Sequence, residues 1–301
     1  MRLYHKGVGL VVEAPAKLNL FFEVLQKRPD GYHEIETLMC PIDLYDTIYV
    51  EEAPGEQIEL RVVVAGACRA GRPWLVEIPE GRENLIVRAL AMLRQRVQPE
   101  TGIRVRLLKR IPSAAGLGGG SSDAAAALVA GNALWGNRVS CDELAELAAE
   151  LGSDVPFFLA GGAAICRGRG EQVESTVTPG EMHFVVVRPP QGLGTAAVYR
   201  SCRPAERPRS VEPLVQAMRS GDMRGVGSSL CNRLEPAAER LSPWIGRLRQ
   251  EMGYMDVWGQ AMSGSGSSYF GLCRHALHAQ AVKRRLQARS LGSVFAVRSC
   301  R

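Results

Sequence analysis

Chemistry is written most plainly in Pro112-Ser113-Ala114-Ala115-Gly116-Leu117-Gly118-Gly119-Gly120-Ser121-Ser122 of this 301-residue chain. A strand pattern over 102–108 runs into it, with Ile103, Val105 and Leu107 alternating against Arg104 and Arg106, and an alanine-rich helical stretch, 123–134, runs out. Glycines between a strand and a helix N-terminus present bare amide N–H groups, and the helix dipole adds to their attraction for anions. With no Cβ in the way a phosphate can approach the backbone closely. The pattern reads as a phosphate cradle. A flexible Gly/Ser linker is the plain alternative, but linkers do not usually join a strand to a helix without a break. The terminal Gly-Lys-Ser/Thr of a Walker loop is missing. A dinucleotide-binding turn fits poorly as well, because its third glycine is absent and no βαβ unit opens the chain.

Four other places could carry chemistry. Lys17, in Ala14-Pro15-Ala16-Lys17-Leu18-Asn19-Leu20, lies among small and apolar neighbours on the same strand face as Asn19. A partly desolvated ammonium there could polarise a hydroxyl or steady phosphate charge; it could also be an edge lysine that discourages aggregation. Asp154, in Gly152-Ser153-Asp154-Val155-Pro156, is either a helix N-cap ahead of a first-turn proline or a base for an attacking alcohol. Ser263-Gly264-Ser265-Gly266-Ser267-Ser268 is an ordinary connection or a second small-residue wall around a substrate. Asp30-Gly31-Tyr32-His33 is a tight turn, or a turn that offers rings and hydrogen bonds to a heterocycle.

Composition narrows the class. With 46% apolar and 23% charged residues the chain reads as a globular protein able to bury a real core, and no apolar run suffices to span a bilayer. Residues 1–10 show no signal peptide, so a cytoplasmic enzyme is expected. Eight cysteines are scattered without a C-x-x-C pair and the five histidines do not cluster with them, which disfavours a zinc site or disulfide framework. A net charge of +6 raises nucleic-acid binding, supported locally by Arg203, Arg207, Arg209 and Lys283-Arg284-Arg285. The first group lies in a proline-rich loop and the second on a helix face, so no nucleic-acid partner is expected; handling anionic phosphates suits the same charge.

The elements that must position these residues follow from periodicity. Strands are predicted over 11–24 with a break near Pro15, over 46–51 and 57–64, over 173–177 and 183–188, and over 254–261, 269–273 and 293–297. Helices are predicted over 84–97, 140–151 with a Ser140/Glu143 capping box, 212–220, 236–240, 243–252 and 276–288. Residues 197–209 read as irregular. Strands interspersed with helices without βαβ repetition indicate α+β.

Taken together and in order, Ala14–Leu20, Asp30–His33, Pro112–Ser122, Gly152–Phe158, Asn232–Pro236 and Ser263–Ser268 resemble the GHMP kinase family over nearly the whole chain. The pairing of Pro15-Ala16-Lys17-Leu18-Asn19 with Asp30-Gly31-Tyr32-His33 resembles one branch. That branch phosphorylates the 2-hydroxyl of 4-diphosphocytidyl-2-C-methyl-D-erythritol in the non-mevalonate route, rather than mevalonate, homoserine or galactose. The resemblance implies two domains: an N-terminal one like ribosomal protein S5 (1–170) and a ferredoxin-like C-terminal one (171–301), with the active site in the cleft between them. It implies ATP and Mg²⁺, Lys17 and Asp154 as the catalytic pair, and 112–122 as the ATP phosphate loop. Tyr32 and His33 match cytidine-contacting positions, Tyr199 falls roughly where an aromatic stacks on cytosine, and Asn19, Ser263, Gly264, Ser265 and Gly266 join the acceptor site. The metal ligands are not legible, Ser122 and a water shell being the alternatives, and a monomer or homodimer is expected. Ser113-Ala114 departs from the small residues usual in relatives, and the 53–82 insertion with Trp74 matches no motif. A non-catalytic relative binding nucleotide or RNA, and a mevalonate- or galactose-type kinase, are the rival readings.

Overall fold

The structure is a computed structural model that describes residues 1–65, 78–178 and 180–300, so Cys68 and Trp74 lie outside the described residues. In chain order its elements are β1 (Arg2–Lys6), β2 (Gly9–Lys27), β3 (His33–Ala53), β4 (Ile58–Val64), α1 (Leu85–Val97), β5 (Gly102–Lys109), α2 (Gly119–Leu134), α3 (Cys141–Leu151) and α4 (Val155–Leu159). Then follow β6 (Ala164–Arg167), β7 (Gln172–Ser175), β8 (His183–Arg188), α5 (Thr195–Ser201), α6 (Glu212–Ser220), α7 (Met223–Ser228), β9 (Cys231–Asn232) and α8 (Glu235–Leu241). The last are α9 (Pro243–Gly253), β10 (Gly259–Met262), β11 (Tyr269–Cys273), α10 (Ala276–Gln287) and β12 (Ser293–Arg298). By compactness the chain divides into two units that interleave along the sequence: residues 1–16, 44–112 and 118–161 form one, and residues 17–43, 113–117 and 162–301 the other.

In the first unit β1 folds back on the start of β2, the end of β3 pairs antiparallel with β5, and β4 runs parallel to β5. The alternation of β5 puts Ile103, Val105 and Leu107 in the core, while Arg104 reaches Glu51 and Glu59 on the two neighbouring strands. Helix α2 is buried along its middle, Ala124 to Leu128 being fully enclosed, which is why it shows no polar stripe there. Helix α3 begins with the expected capping box, Ser140 and Glu143 satisfying each other's backbone N–H.

In the second unit β8 is flanked by β11 and β12, with β10 outside β11, in a four-stranded antiparallel sheet. Val185, Val187, Tyr269 and Val294 of this sheet pack with Leu248, Met252, Val282 and Leu286 of α9 and α10. The start of β3 pairs with β6, and β9 runs parallel to β2, setting Asn232 beside Phe22.

Several expectations need correction. Strand β2 passes through Pro15 unbroken, because proline's fixed φ suits extended backbone and only a donor is lost. Strand β3 reaches from His33 to Ala53, far beyond 46–51, since it is buried on both faces for long stretches and shows little alternation. Residues 195–201, read in part as irregular, form α5, which is too short to reveal a period. Strand β10 is only four residues long.

One buried ion pair ties distant segments of the second unit together. Glu23 is fully buried and accepts bonds from Arg233 Nε (2.6 Å) and Nη2 (3.1 Å) and from the backbone N–H of Arg209 and Val24. Burial by itself raises this carboxyl, but Arg233 and the backbone donors outweigh it and hold Glu23 below the ordinary carboxylate range. Its contribution is therefore present above the unfolded value and lost as pH falls through the folded one. Arg233→Met strands the charge and should cost about 3–5 kcal/mol at neutral pH. Urea unfolding should show that deficit shrinking in acid, as the lone carboxyl takes up a proton; a deficit that is small at neutral pH, or grows in acid, contradicts this reading.

Candidate active site

The strand–loop–helix passage has a definite backbone form. Ala114, Gly116 and Gly118 have φ of 50°, 72° and 69°, so every second residue from 114 to 118 is left-handed. Backbone that alternates in hand turns successive N–H groups toward one side, the geometry of an anion-binding nest. Alanine tolerates that conformation at some cost, and Ala114 stands at such a position. Helix α2 then begins at Gly119, so residues 119–122 are its first turn rather than loop, with Gly118 as N-cap. The amides of that turn ahead of Ser122, whose N–H donates to Gly118 O (2.9 Å), carry the positive end of a 16-residue helix.

In the second unit the loop is held by its carbonyls. Ala115 O accepts from Ser268 N (3.1 Å), Gly116 O from Ser263 Oγ (2.9 Å) and Leu117 O from Lys17 N (3.0 Å). A Cβ on Gly116 would lie 2.0 Å from Ser263 O, so only glycine allows this approach. Lys17 is 3% exposed and its Nζ donates to Asn19 Oδ1 at 2.5 Å. Asn19 Nδ2 in turn donates to Thr37 Oγ1 (2.8 Å), whose hydroxyl donates to Phe21 O (2.6 Å). A Cβ on Gly264 would lie 3.2 Å from Lys17 Nζ and 3.1 Å from Asn19 Oδ1, which places the 263–266 turn against the lysine. Thr195 and Ser265 hydroxyls are hydrogen-bonded at 2.9 Å. The second unit thus brings together Lys17, Asn19, Ser113–Leu117 and Ser263–Gly266.

The same unit gathers aromatic rings. Tyr199 on α5 lies 5.3 Å from His33, centroid to centroid with a 33° tilt, and edge-on to Phe22 at 6.4 Å. Desolvation, helped by the charge of Lys27, lowers the His33 pKa and favours neutral imidazole, which can donate and accept. Tyr32 is largely exposed, with the Arg169 guanidinium 5.0 Å above its ring. The planar faces suit a heterocyclic base.

In the first unit a buried triad underlies the phosphate helix. Lys109 Nζ donates to Asp46 and, at 2.6 Å, to Asp123, while Asp46 Oδ1 accepts the N–H of Arg110 and Ile111. Burial pushes the Asp123 carboxyl up to about 8 against the pull of Lys109. Asp154 occupies the N-cap position of α4, and its carboxylate makes no capping hydrogen bond to that helix.

Buried polar atoms without hydrogen-bond partners among the described residues include Ser122 Oγ and Asp123 Oδ1 in the first unit and Ser267 Oγ and Ser268 Oγ in the second. Each costs about 1–3 kcal/mol when left unpaired, and such clusters in glycine-rich loops fit a polar ligand. The sequence reading did not single out Thr37, Phe22 or Arg169. Thr37 and Phe22 belong to continuously buried strand, and only a three-dimensional ring contact distinguishes Arg169.

Comparison with known proteins agrees with these features. The "GHMP kinases N terminal domain" family matches residues 84–162 and "GHMP kinases C terminal" matches residues 214–290. The chain is 42% identical over 261 residues to a 4-diphosphocytidyl-2-C-methyl-D-erythritol kinase from Pelotomaculum thermopropionicum, covering 86% of this chain and 87% of the relative. A crystal structure of a 4-(cytidine 5'-diphospho)-2C-methyl-D-erythritol kinase superposes with a TM-score of 0.81 at 37% identity, covering 97% of this chain and 99% of that one. A homoserine kinase from Cytophaga hutchinsonii shares the fold, with a TM-score of 0.74 at 20% identity over 99% of this chain and 97% of that one. With the loop, the buried lysine and both family regions in place, the chain belongs to the GHMP kinase family.

Proposed function

We propose that the protein transfers the γ-phosphoryl group of ATP to the 2-hydroxyl of 4-diphosphocytidyl-2-C-methyl-D-erythritol, in the non-mevalonate route to isoprenoid precursors. The observation that carries this reading is the 37–42% identity, across most of the chain, to relatives named for that acceptor. The His33–Tyr199 ring pair beside Phe22 supports a cytosine-bearing substrate over mevalonate, homoserine or galactose, none of which has an aromatic base to stack. GHMP kinases use ATP as phosphate donor; the alternating loop, the first turn of α2 and the orphaned hydroxyls fit its phosphates.

The roles follow from phosphoryl-transfer chemistry, which relies on positioning and charge neutralisation more than on covalent help. Amides of 116–121 receive the phosphate oxygens, that of Ser122 being already bonded to Gly118 O (2.9 Å). Asp154 accepts the proton of the acceptor 2-hydroxyl, and Lys17, oriented by Asn19, steadies that oxygen as its charge grows. Tyr32, His33 and Tyr199 hold the cytosine, with Ser263–Gly266 walling the sugar-alcohol end. Mg²⁺ would enter with ATP and supply neutralising charge, held by the Ser122 hydroxyl in the first turn of α2 or by a water shell. We place the functional division near residue 170, between the two family regions, and the enzyme in the cytoplasm. Among the described residues no helix is long and apolar enough to cross a membrane.

Incubation with ATP, Mg²⁺ and the cytidyl acceptor should release ADP only when that acceptor is present, and CDP should compete with it. ADP release that is equal with mevalonate, or indifferent to CDP, refutes the acceptor. Asp154→Asn should lower kcat by about 10²–10⁴-fold with the KM for ATP unchanged, the range for general-base catalysis; near-normal turnover removes Asp154 from the mechanism. Tyr199→Ala should raise the acceptor KM by about tenfold or more, the worth of one base–aromatic stack, and leave ATP binding alone. An ATP effect without an acceptor effect would place Tyr199 elsewhere.

A further inference from the structure

The segment Asn232-Arg233-Leu234-Glu235 is a motif without a role in the reaction just described. In the structure its two polar ends converge on one residue of the 262–268 hairpin. The Asn232 carboxamide donates to Met262 O (2.7 Å) and to Gly264 O (2.8 Å), while its own oxygen accepts Leu234 N (2.9 Å). Glu235 Oε2 accepts Met262 N (3.2 Å), and Oε1 accepts the Tyr269 hydroxyl (2.9 Å). Met262 and Tyr269 are directly paired across β10 and β11, at the mouth of the hairpin. Asn232 therefore takes the carbonyl of Met262, Glu235 takes its N–H, and Glu235 also takes the side chain opposite.

A side chain with every donor and acceptor engaged in a low-dielectric place holds its partners in one arrangement. What it holds here is the turn against the lysine. Ser263 Oγ accepts Asn19 N (3.3 Å) and donates to Gly116 O, and Gly264 closes on both Lys17 Nζ and Asn19 Oδ1. Strand β9, which begins the motif, pairs in parallel with Phe21 and Phe22 of the strand that carries Lys17 and Asn19. The clamp thus references the turn to the same strand as the lysine.

We infer that Asn232 and Glu235 are positioning residues for phosphoryl transfer: they fix the 262–264 turn and, through Ser263 and Gly264, the Lys17–Asn19 pair. Neither touches the reacting atoms. The inference rests on the proposed role of Lys17, so Lys17→Met is measured alongside. A displacement of about 1 Å in such a support is enough to cost about 100-fold in rate.

The test compares Asn232→Ala and Glu235→Gln with Val226→Ala, which trims a fully buried side chain of α7 that makes none of the clamp's hydrogen bonds. Glu235→Gln keeps its size and an acceptor for Tyr269 while turning a donor toward Met262 N, so it serves where Asn232→Ala folds poorly. Thermal midpoints, kcat and both KM values are measured at a temperature where all variants are folded. Each clamp variant should lose about 10- to 100-fold in kcat with the KM for ATP within about threefold, whereas Val226→Ala loses stability and keeps kcat. Adding Ser263→Ala to Asn232→Ala should cost much less than the product of the single losses, because both act through one turn. Near-normal kcat in the clamp variants, a loss matched by Val226→Ala, or full additivity with Ser263→Ala overturns the inference. An active Lys17→Met enzyme would instead refute the role of Lys17, a separate result.

Discussion

Three consecutive carbonyls, those of Ala115, Gly116 and Leu117, are each committed to a donor from a distant part of the second unit: Ser268 N, Ser263 Oγ and Lys17 N. Everything else in the candidate site depends on that grip. Engaging the carbonyls orients the peptide planes, and the left-handed residues at 114, 116 and 118 then turn their amides the other way. The backbone bond from Lys17 also means that the strand presenting the ammonium is the strand restraining the phosphate loop. Lysine and loop are registered by one hydrogen bond rather than by a chain of flexible contacts.

The surrounding polar groups can be understood as guarding that register. The glycine at 116 is required because Ser263 O comes closer than any side chain could tolerate. Asn19 holds Lys17 and is itself held by Thr37, so the ammonium has little freedom to wander. Near the start of α2 the Lys109, Asp46 and Asp123 triad ties the end of β5 to the helix. These buried groups cost desolvation, and such a cost is expected where a polypeptide must preorganise charge for a reaction.

Much of this was legible in the residues. The loop announced itself through glycines between an alternating strand and an alanine run, and Lys17 through its small and apolar neighbours. Helix α3 was fixed to the residue by Ser140 and Glu143. What escaped was decided by tertiary contact. Residues 119–122 are poor helix formers that join α2 because the helix is enclosed, and β3 hides its length because burial on both faces erases alternation. Thr37 and Arg169 matter through partners far away in sequence, and no local pattern marks such residues. Ser263 was visible as part of a small-residue loop, but its two hydrogen bonds, from Asn19 N and to Gly116 O, were not.

The most direct test is to follow backbone amide resonances while titrating a non-hydrolysable ATP analogue with Mg²⁺. The account predicts that the N–H signals of residues 116–121 shift downfield and become protected from hydrogen exchange, with the signals of Lys17 N, already bonded to Leu117 O, and Ser122 N, already bonded to Gly118 O, staying protected throughout. If those loop amides neither shift nor gain protection while resonances elsewhere in the chain do, the phosphates bind somewhere else and the central claim fails.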